Sequence, residues 1–255
     1  MELWLIAILP SIIIGYIIYK TDKKEQEPLK EIVKALMLGV VSVILTLGIS
    51  YIFNVFSLEV DQTNLADVMF YSFIAIALIE EISKWLCGYL FLKENPNFDY
   101  MFDGIVYYIF VSLGFATVEN ILYTVTGGMT TGLIRAVTTV PAHTFFGAAM
   151  GYYFSLARRE KIKENKSKHD KNLLLSILVP FLLHGFYDFC LFSGQPILFI
   201  TYIVFVVSLY VFSIGNIKRM ERIDHTLDSE SLHCRNCGNI VTANYCTKCG
   251  KKIDK

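Results

Sequence analysis

Residues 65–92 read LADVMFYSFIAIALIEEISKWLCGYLFL, a largely apolar stretch with Glu80, Glu81 and Lys84 near its middle. About 20 apolar residues cross a bilayer, so this stretch is long enough to span a membrane. Ionisable side chains inside such a span are costly and usually face a protein interior or an aqueous cavity that has a function. An ion pair between Glu80 and Lys84, one helical turn apart, would by itself only fix helix packing. Such a pair uses one carboxylate, and the second carboxylate therefore favours a functional site.

The composition of the whole chain agrees with a membrane protein. Hydrophobic residues make up 54% of the sequence and the mean hydropathy is +0.49, which excludes a soluble globular domain. The first apolar stretch lacks a basic leader and a cleavage pattern, so we interpret it as a retained span. We predict an all-α polytopic membrane protein whose transmembrane helices, about seven in number, enclose a polar cavity. The predicted spans are Leu3–Tyr19, Ile32–Phe56, Leu65–Leu92, Gly104–Val125, Leu133–Leu156, Leu173–Phe192 and Ile197–Ile214.

The basic residues alternate between the loops, although the formal net charge is zero. Lys and Arg cluster in Lys20–Lys34, Arg158–Lys171 and Lys218–Lys255, and Lys93 follows the third span. The intervening loops, Ser57–Asn64, Thr126–Thr131 and Ser193–Pro196, contain neither residue. The positive-inside rule then predicts a multi-pass protein of the cell membrane, with its N-terminus outside and its C-terminus in the cytoplasm. The basic runs are explained by this topology, so no nucleic-acid partner is predicted.

Four of the six cysteines lie in the predicted cytosolic tail, in two identical C-x2-C-G hairpins. The pairs are Cys234 with Cys237 and Cys246 with Cys249. Two such turns complete a tetrahedral thiolate shell, which is typical of a structural Zn²⁺ ion rather than a catalytic one. We therefore predict a membrane domain over residues 1–217, a linker over 218–232 and a zinc ribbon over 233–255. The ribbon is a candidate site for a cytosolic partner.

The other predicted spans also carry polar side chains. The fourth has Glu119 beside Asn120, the fifth has His143, and the sixth has His184 and Asp188 on one helical face. A bilayer interior offers no water to solvate these groups, unless they meet one another and the paired glutamates of the third span. The sequence therefore predicts one shared polar cavity between four successive spans.

These residues resemble the PrsW family of intramembrane proteases, which is grouped with the CAAX prenyl endopeptidases and the Abi proteins. The resemblance runs from about the second span to the sixth. It implies hydrolysis of a peptide bond in or beside the bilayer, with a membrane protein such as an anti-sigma factor as the substrate. The matching blocks are Glu80-Glu81-x-x-Lys84-Trp85, Phe115-x-x-x-Glu119-Asn120, His143 with Gly147, and His184-x-x-x-Asp188.

Amide hydrolysis requires a base that activates water, donors for the oxyanion, and an acid for the leaving amine. We assign Glu80 or Glu81 as the base, because a partly desolvated glutamate beside a second carboxylate is a stronger base than a solvated one. Lys84 would keep the other glutamate ionised.

The remaining candidates would assist that base. His143 would orient the water or protonate the leaving group, and His184 with Asn120 would supply oxyanion donors. Asp188 would orient His184, and Glu119 completes the set of candidate catalytic residues.

Two questions stay open at this point. The histidines and carboxylates can form a catalytic zinc site, but no H-E-x-x-H pair lies on one helix, and the prenyl endopeptidases resemble metal-free glutamate enzymes. We therefore prefer the metal-free mechanism. The same polar residues would also serve a proton-coupled transporter, or hold together a receptor-like scaffold whose ribbon recruits a partner.

Overall fold

Each of the apolar stretches predicted to span the membrane lies on helices in the computed structural model of the chain. The structure describes residues 2–24, 26–56, 61, 63–222, 224–227, 232–233, 240–241 and 248–251. Its helices are α1 (Glu2–Thr21), α2 (Leu29–Phe56), α3 (Leu65–Phe70), a π-helical segment (Tyr71–Leu78), α4 (Ile79–Leu92), α5 (Asp103–Val137), α6 (Thr139–Ile162), α7 (Lys166–Phe192) and α8 (Pro196–Arg222).

Among the described residues, five helical stretches are long and apolar enough to cross a membrane. One of them, Asp103–Ile162, comprises both α5 and α6 and therefore covers the fourth and fifth predicted spans. The others are α1, α2, α7 and α8. The predicted fold class, an all-α multi-pass membrane protein, is confirmed.

The chain reverses direction within α5, at Gly128. This residue has φ 79° and ψ −174°, a conformation that glycine adopts without the steric cost of a side chain. Residues on either side of the reversal meet: a Cβ atom on Gly132 would lie 2.8 Å from the Thr124 side chain, and Arg135 Nε donates to Asn120 Oδ1 at 3.3 Å. The turn lies in the loop predicted over Thr126–Thr131, and it returns the chain antiparallel to the first part of α5.

The third predicted span is helical but not uniformly α-helical. Asn64 caps the start of α3 by accepting a hydrogen bond from the Ala66 backbone amide at 3.0 Å. The π-helical segment Tyr71–Leu78 follows, and α4 begins at Ile79, one residue before the paired glutamates. Long π-helical segments are rare and often occur at functional sites.

The first half of α5 is the centre of the bundle. Every residue from Met101 to Ala116 is buried, because α1, α2 and α6 pack around this helix. The outer helices instead expose large apolar side chains, such as Tyr16 on α1, Ile44 on α2 and Phe212 on α8. A helix that is apolar all round is suited to a buried position, and apolar outer faces are suited to contact with lipid.

Glycines allow the close approach of α5 to its neighbours. A Cβ atom on Gly39 of α2 would lie 2.0 Å from the Val111 carbonyl oxygen, and one on Gly114 would lie 2.0 Å from the Leu36 carbonyl oxygen. A Cβ on Gly151 of α6 would similarly lie 2.1 Å from the Gly104 carbonyl oxygen. Small residues at such crossings let two backbones meet, as is common between membrane helices.

The segment after α8 packs against the connection between α4 and α5. The Leu227 amide donates to the Asp99 carbonyl at 2.7 Å, and the Phe102 amide donates to Asp224 Oδ1 at 2.9 Å. Lys24, between α1 and α2, donates to the Asp224 carbonyl. Helix α8 also continues to Arg222, so part of the region predicted as a linker is helical and another part is docked on the membrane domain.

The tail contains a short antiparallel pair of strands, β1 (Leu232–His233) and β2 (Ile240–Val241). Leu232 pairs with Val241 and His233 with Ile240. Three of the four cysteines of the predicted ribbon, Cys234, Cys237 and Cys246, lie outside the described residues, so the zinc site stays a prediction.

We predict that Gly39→Ala destabilises the protein by about 1 to 3 kcal/mol, because the added methyl group forces α2 away from the α5 backbone. Gly48 on the same helix is the matched control, since a Cβ there meets no described atom within 4 Å. Thermal unfolding in detergent would measure both variants. Equal melting temperatures for Gly39→Ala and Gly48→Ala would contradict the proposed close contact.

Glu27 lies between α1 and α2 and accepts a hydrogen bond from Tyr107. Burial raises the pKa of Glu27 from 4.5 to about 7. The folded protein thus holds this proton more tightly than the unfolded chain, and stability present at low pH is lost as the pH rises between these values. Glu27→Gln should therefore reduce the fall in melting temperature between about pH 5 and about pH 8. The exposed Glu94→Gln should leave that fall unchanged, and an unchanged fall in Glu27→Gln would disprove the assignment.

Candidate active site

The paired glutamates of α4 have different surroundings. Glu81 and Lys84 are completely buried, and Lys84 Nζ lies 2.7 Å from Glu81 Oε1. Glu80 is 7% exposed, and its Oε2 atom lies 3.5 Å from Lys84 Nζ. Lys84 therefore pairs closely with Glu81, while Glu80 is the glutamate that reaches the edge of the buried cluster.

His143 on α6 connects Lys84 to Glu119. Its Nδ1 atom lies 3.2 Å from Lys84 Nζ, and its Nε2 atom lies 2.9 Å from Glu119 Oε2. An ammonium group can only donate hydrogen bonds, so Nδ1 is the acceptor. The proton then lies on Nε2 and is donated to Glu119. These two neighbours thus select one tautomer of the His143 ring.

His184 on α7 lies between carboxylates. Its Nδ1 atom is 2.8 Å from Glu81 Oε1, and its Nε2 atom is 3.3 Å from Asp188 Oδ2. The ring stacks on Phe146 with a centroid distance of 5.0 Å, and its centroid lies 5.1 Å from that of His143. Two carboxylates on opposite ring nitrogens suit a doubly protonated imidazolium, which donates from both.

Arg135, which was not among the residues selected from the sequence, pairs with Glu119. Arg135 Nη2 lies 2.8 Å from Glu119 Oε2, and the guanidinium carbon lies 4.1 Å from the centroid of the Tyr123 ring. Arg135 falls inside the fifth predicted span, Leu133–Leu156. Like Glu80, Arg135 is therefore a charged residue inside a predicted span, a signal that is visible in the sequence.

Asn120 lies apart from the paired glutamates. Its Nδ2 atom donates to the Ala7 carbonyl of α1 at 2.9 Å, and its Oδ1 atom accepts from Arg135 at 3.3 Å. The residue is completely buried. In this arrangement the Asn120 amide joins α1 to the turn region of α5, whereas the other predicted site residues form one connected cluster.

A cavity of about 390 Å³ opens beside the cluster, between α2, the π-helical segment and α5. Glu80 and Glu119 both line it, while most of the other lining residues are apolar. A largely apolar cavity with a few convergent polar groups is typical of a binding or catalytic site. The lining residues are Val43, Thr46, Leu47, Ser50, Tyr71, Ala75, Ile76, Glu80, Phe115, Glu119, Leu122, Tyr123 and Thr126.

The cluster also has the donor set of a metal site. Glu80, Glu81, His143 and His184 are buried, and one ligand atom from each lies within 4.8 Å of the other three. Imidazole nitrogens and carboxylate oxygens are ligands that Zn²⁺ accepts. The second carboxylate oxygen of Glu81, Oε2, is buried without a hydrogen-bond partner among the described residues. The residues present therefore fit a divalent cation, which would replace the Lys84 ammonium beside Glu81 and His143 and a proton of His184.

The family model described as "PrsW family intramembrane metalloprotease" matches residues 27–213 of this chain. The chain is 35% identical to "Protease PrsW" of Oceanobacillus iheyensis, over 84% of this chain and 93% of that protein. It is 33% identical to the Clostridioides difficile protein of the same name, over 86% and 91%. The Bacillus subtilis protein is 34% identical, over 86% of this chain and 95% of its own length. No solved structure matches the chain.

We predict that Arg135→Gln lowers the free energy of unfolding by about 3 kcal/mol, because it leaves the mostly buried Glu119 without its strongest partner. Glu119→Gln should have a similar effect. The double variant should lose less than the sum of the single losses, by about 1 to 3 kcal/mol.

Equilibrium unfolding in mixed detergent micelles would measure this coupling. The exposed pair of Lys166 and Asp170, 2.9 Å apart, is the control, and breaking it should cost about 1 kcal/mol or less. Strictly additive losses at Arg135 and Glu119 would show that the two residues do not stabilise each other.

Proposed function

The chain belongs to the PrsW family of intramembrane proteases, and we propose that it hydrolyses a peptide bond in or near a membrane segment of its substrate with water activated by Glu80. The observation that carries this proposal is the position of Glu80. It joins the buried cluster of charged groups and also lines the cavity between α2, the π-helical segment and α5.

Glu80 is better placed than Glu81 to act as the base. Glu81 is completely buried and is bound by both Lys84 and His184, so its nearer carboxylate oxygen is already occupied. Glu80 has one longer contact with Lys84, at 3.5 Å, and it faces the space where a water molecule and a peptide would meet. Lys84 in turn pairs with Glu81, the glutamate that is not the base in this proposal.

In the proposed reaction, Glu80 removes a proton from water as the oxygen attacks the scissile carbonyl carbon. The oxyanion that forms needs positive charge beside it. The Lys84 ammonium and the His184 imidazolium are the candidates, since Lys84 Nζ and His184 Nε2 lie 3.5 Å and 4.0 Å from Glu80 Oε2. Asp188 orients that ring. When the carbon–nitrogen bond breaks, Glu80 returns the proton to the leaving amine.

His143 and Glu119 are proposed to organise the cluster. The Arg135 guanidinium fixes Glu119, Glu119 fixes the tautomer of His143, and His143 accepts from Lys84. This chain of contacts would keep the Lys84 ammonium beside Glu81. Asn120 would position Arg135 through the contact between its Oδ1 atom and Arg135 Nε.

Glu80, Glu81, His143 and His184 are the residues that would hold a divalent cation, as the description of the family model implies. Such an ion would polarise water and the scissile carbonyl as a Lewis acid. The contact between Glu81 and His184 already holds two of these residues together, and Glu81 Oε2 has no hydrogen-bond partner among the described residues.

We propose a membrane protein with a single span as the substrate, and an anti-sigma factor in particular, as the PrsW resemblance implies. The cavity is lined by residues of four helical elements, α2, the π-helical segment, α4 and α5, which suits a substrate that arrives within the bilayer.

We also propose that the N-terminus lies outside and the tail in the cytoplasm. Contacts at one end of the bundle support this topology. Lys24 meets the segment after α8, and Arg158 donates to the Lys93 carbonyl, so the basic loops gather on one face. The turn at Gly128, in a loop without Lys or Arg, belongs to the other face.

The tail is proposed to fold as a ribbon around a structural zinc ion held by Cys234, Cys237, Cys246 and Cys249. The pairing of β1 with β2 supports this, because the two strands flank the first cysteine pair. A domain this small gains its folding free energy from the metal. The proposed ribbon would be available to a cytosolic partner.

We predict that Glu80→Gln reduces cleavage by about 100-fold or more, since the amide cannot take the proton from water. Cleavage of a tagged single-span substrate with a short extracytoplasmic stem, reconstituted in proteoliposomes, would measure this. Glu94→Gln, a change at an exposed glutamate, is the matched control and should cleave as the wild type does. Full activity in Glu80→Gln would exclude Glu80 as the base.

Two further arms separate the alternatives. Glu81→Gln should abolish cleavage together with a loss of thermal stability, because Lys84 and His184 lose their shared partner, whereas Glu80→Gln should keep the fold. Chelation of protein carrying Cys237→Ser and Cys246→Ser distinguishes a metal in the membrane cluster from one in the tail. Cleavage that survives chelation supports the metal-free reaction. Cleavage that chelation abolishes and added zinc restores would instead locate the ion among Glu80, Glu81, His143 and His184.

A further inference from the structure

A hydroxyl group in the wall of the cavity has no role in the mechanism above. Thr46 on α2 is 8% exposed and lines the cavity together with Glu80 and Glu119. Its Oγ1 atom is buried and has no hydrogen-bond partner among the residues that the structure describes. A buried polar group without a partner is unfavourable and calls for an explanation.

Threonines in helices commonly satisfy their hydroxyl group by donating to the carbonyl four residues earlier. This chain does so repeatedly: Thr117 donates to Leu113 at 2.7 Å, Thr126 to Leu122 at 3.0 Å and Thr144 to Val140 at 3.0 Å. Thr46 departs from that pattern. Other buried hydroxyls without a partner, such as Ser112 and Thr124, do not line the cavity.

The neighbouring residues extend this polar feature along α2. Ser50 also lines the cavity, and it lies one helical turn from Thr46 on the same face. The rest of the α2 wall is apolar, formed by Val43 and Leu47. Two glutamates, on α4 and α5, and two hydroxyl-bearing residues, on α2, thus line the same largely apolar cavity.

The chemistry of a peptide substrate matches this wall. A peptide bond can be attacked once its carbonyl is released from helical hydrogen bonding, which means that the segment around it is unwound. In a bilayer the freed backbone N–H and C=O groups find no water, so each needs a partner from the protein. A threonine hydroxyl can both donate and accept, and it therefore suits either backbone group.

We propose that Thr46, assisted by Ser50, binds the unwound backbone of the substrate next to the scissile bond and holds it against Glu80. This inference rests on the proposed protease function. In it, a rotation about χ1 turns the buried Thr46 Oγ1 atom toward the cavity, where it bonds to a backbone amide or carbonyl group of the substrate, and Thr46 acts as a substrate-positioning residue.

The test compares Thr46→Val, Thr46→Ser and Thr126→Val in proteoliposomes, with the tagged single-span substrate described above. Valine has nearly the shape of threonine but lacks the hydroxyl group. We expect Thr46→Val to raise KM by about threefold to tenfold with kcat little changed, as for the loss of one hydrogen bond made equally in the ground and transition states. Thr46→Ser should restore most of the wild-type KM.

Thr126 is the matched control, because it lines the same cavity but its hydroxyl group is already bonded to its own helix. Thr126→Val should leave KM unchanged. An unchanged KM in Thr46→Val, or an equal rise in Thr126→Val, would overturn the proposal. A purely structural effect of Thr46→Val would instead lower the melting temperature. Thr46→Ser would then not restore KM independently of the melting temperature.

A binding measurement keeps this result separate from the failure of the protease function. The affinity of Glu80→Gln for the same fluorescently labelled substrate would be compared with that of the double variant Glu80→Gln, Thr46→Val. A loss of affinity of about threefold to tenfold supports the docking role even if the wild type cleaves nothing. Equal affinities would disprove it, whatever the outcome of the cleavage assay.

Discussion

The buried ammonium group of Lys84 is the constraint on which the site depends. A charge enclosed among membrane helices is stable when opposite charges and hydrogen-bond acceptors surround it. Lys84 finds Glu81 on its own helix at 2.7 Å, His143 of α6 at 3.2 Å and the face of the Phe115 ring of α5 at 4.2 Å. These contacts fix the relative positions of three helices, and the histidine of the fourth, His184, joins them through Glu81.

Close helix packing makes those contacts geometrically feasible. Helices α5 and α6 approach closely at Gly104 and Gly151: a Cβ atom on Gly104 would lie 2.1 Å from Ser155 Oγ, and one on Gly151 would lie 2.1 Å from the Gly104 carbonyl oxygen. The turn at Gly128 then sets the register of the two helices, so that Glu119 meets both Arg135 and His143. Gly39 and Gly114 likewise let α2 pack closely against α5. The face of α2 that carries Thr46 and Ser50 then lines the cavity.

Two adjacent glutamates thereby acquire different tasks. Successive residues on a helix point about 100° apart, so Glu80 and Glu81 cannot share one environment. Glu81 turns into the bundle and is held by Lys84 and His184, while Glu80 turns to the cavity. The π-helical segment before them also forms part of the cavity wall, through Tyr71, Ala75 and Ile76. The proposed base thus lies beside a neighbour that Lys84 and His184 hold in place.

The sequence by itself determined the membrane character, the helical class and the identity of the polar cluster, because apolar length and charges inside a span are local properties that a bilayer constrains strongly. Glu80, Glu81, Lys84, Glu119, His143, His184 and Asp188 could all be named in this way, and Arg135 could have been. Tertiary structure alone decided which glutamate faces the cavity, that Asn120 bonds to α1 and Arg135, and that the Thr46 hydroxyl group has no partner among the described residues. Those outcomes depend on helix rotation and on contacts between residues far apart in the chain, and no local pattern encodes them.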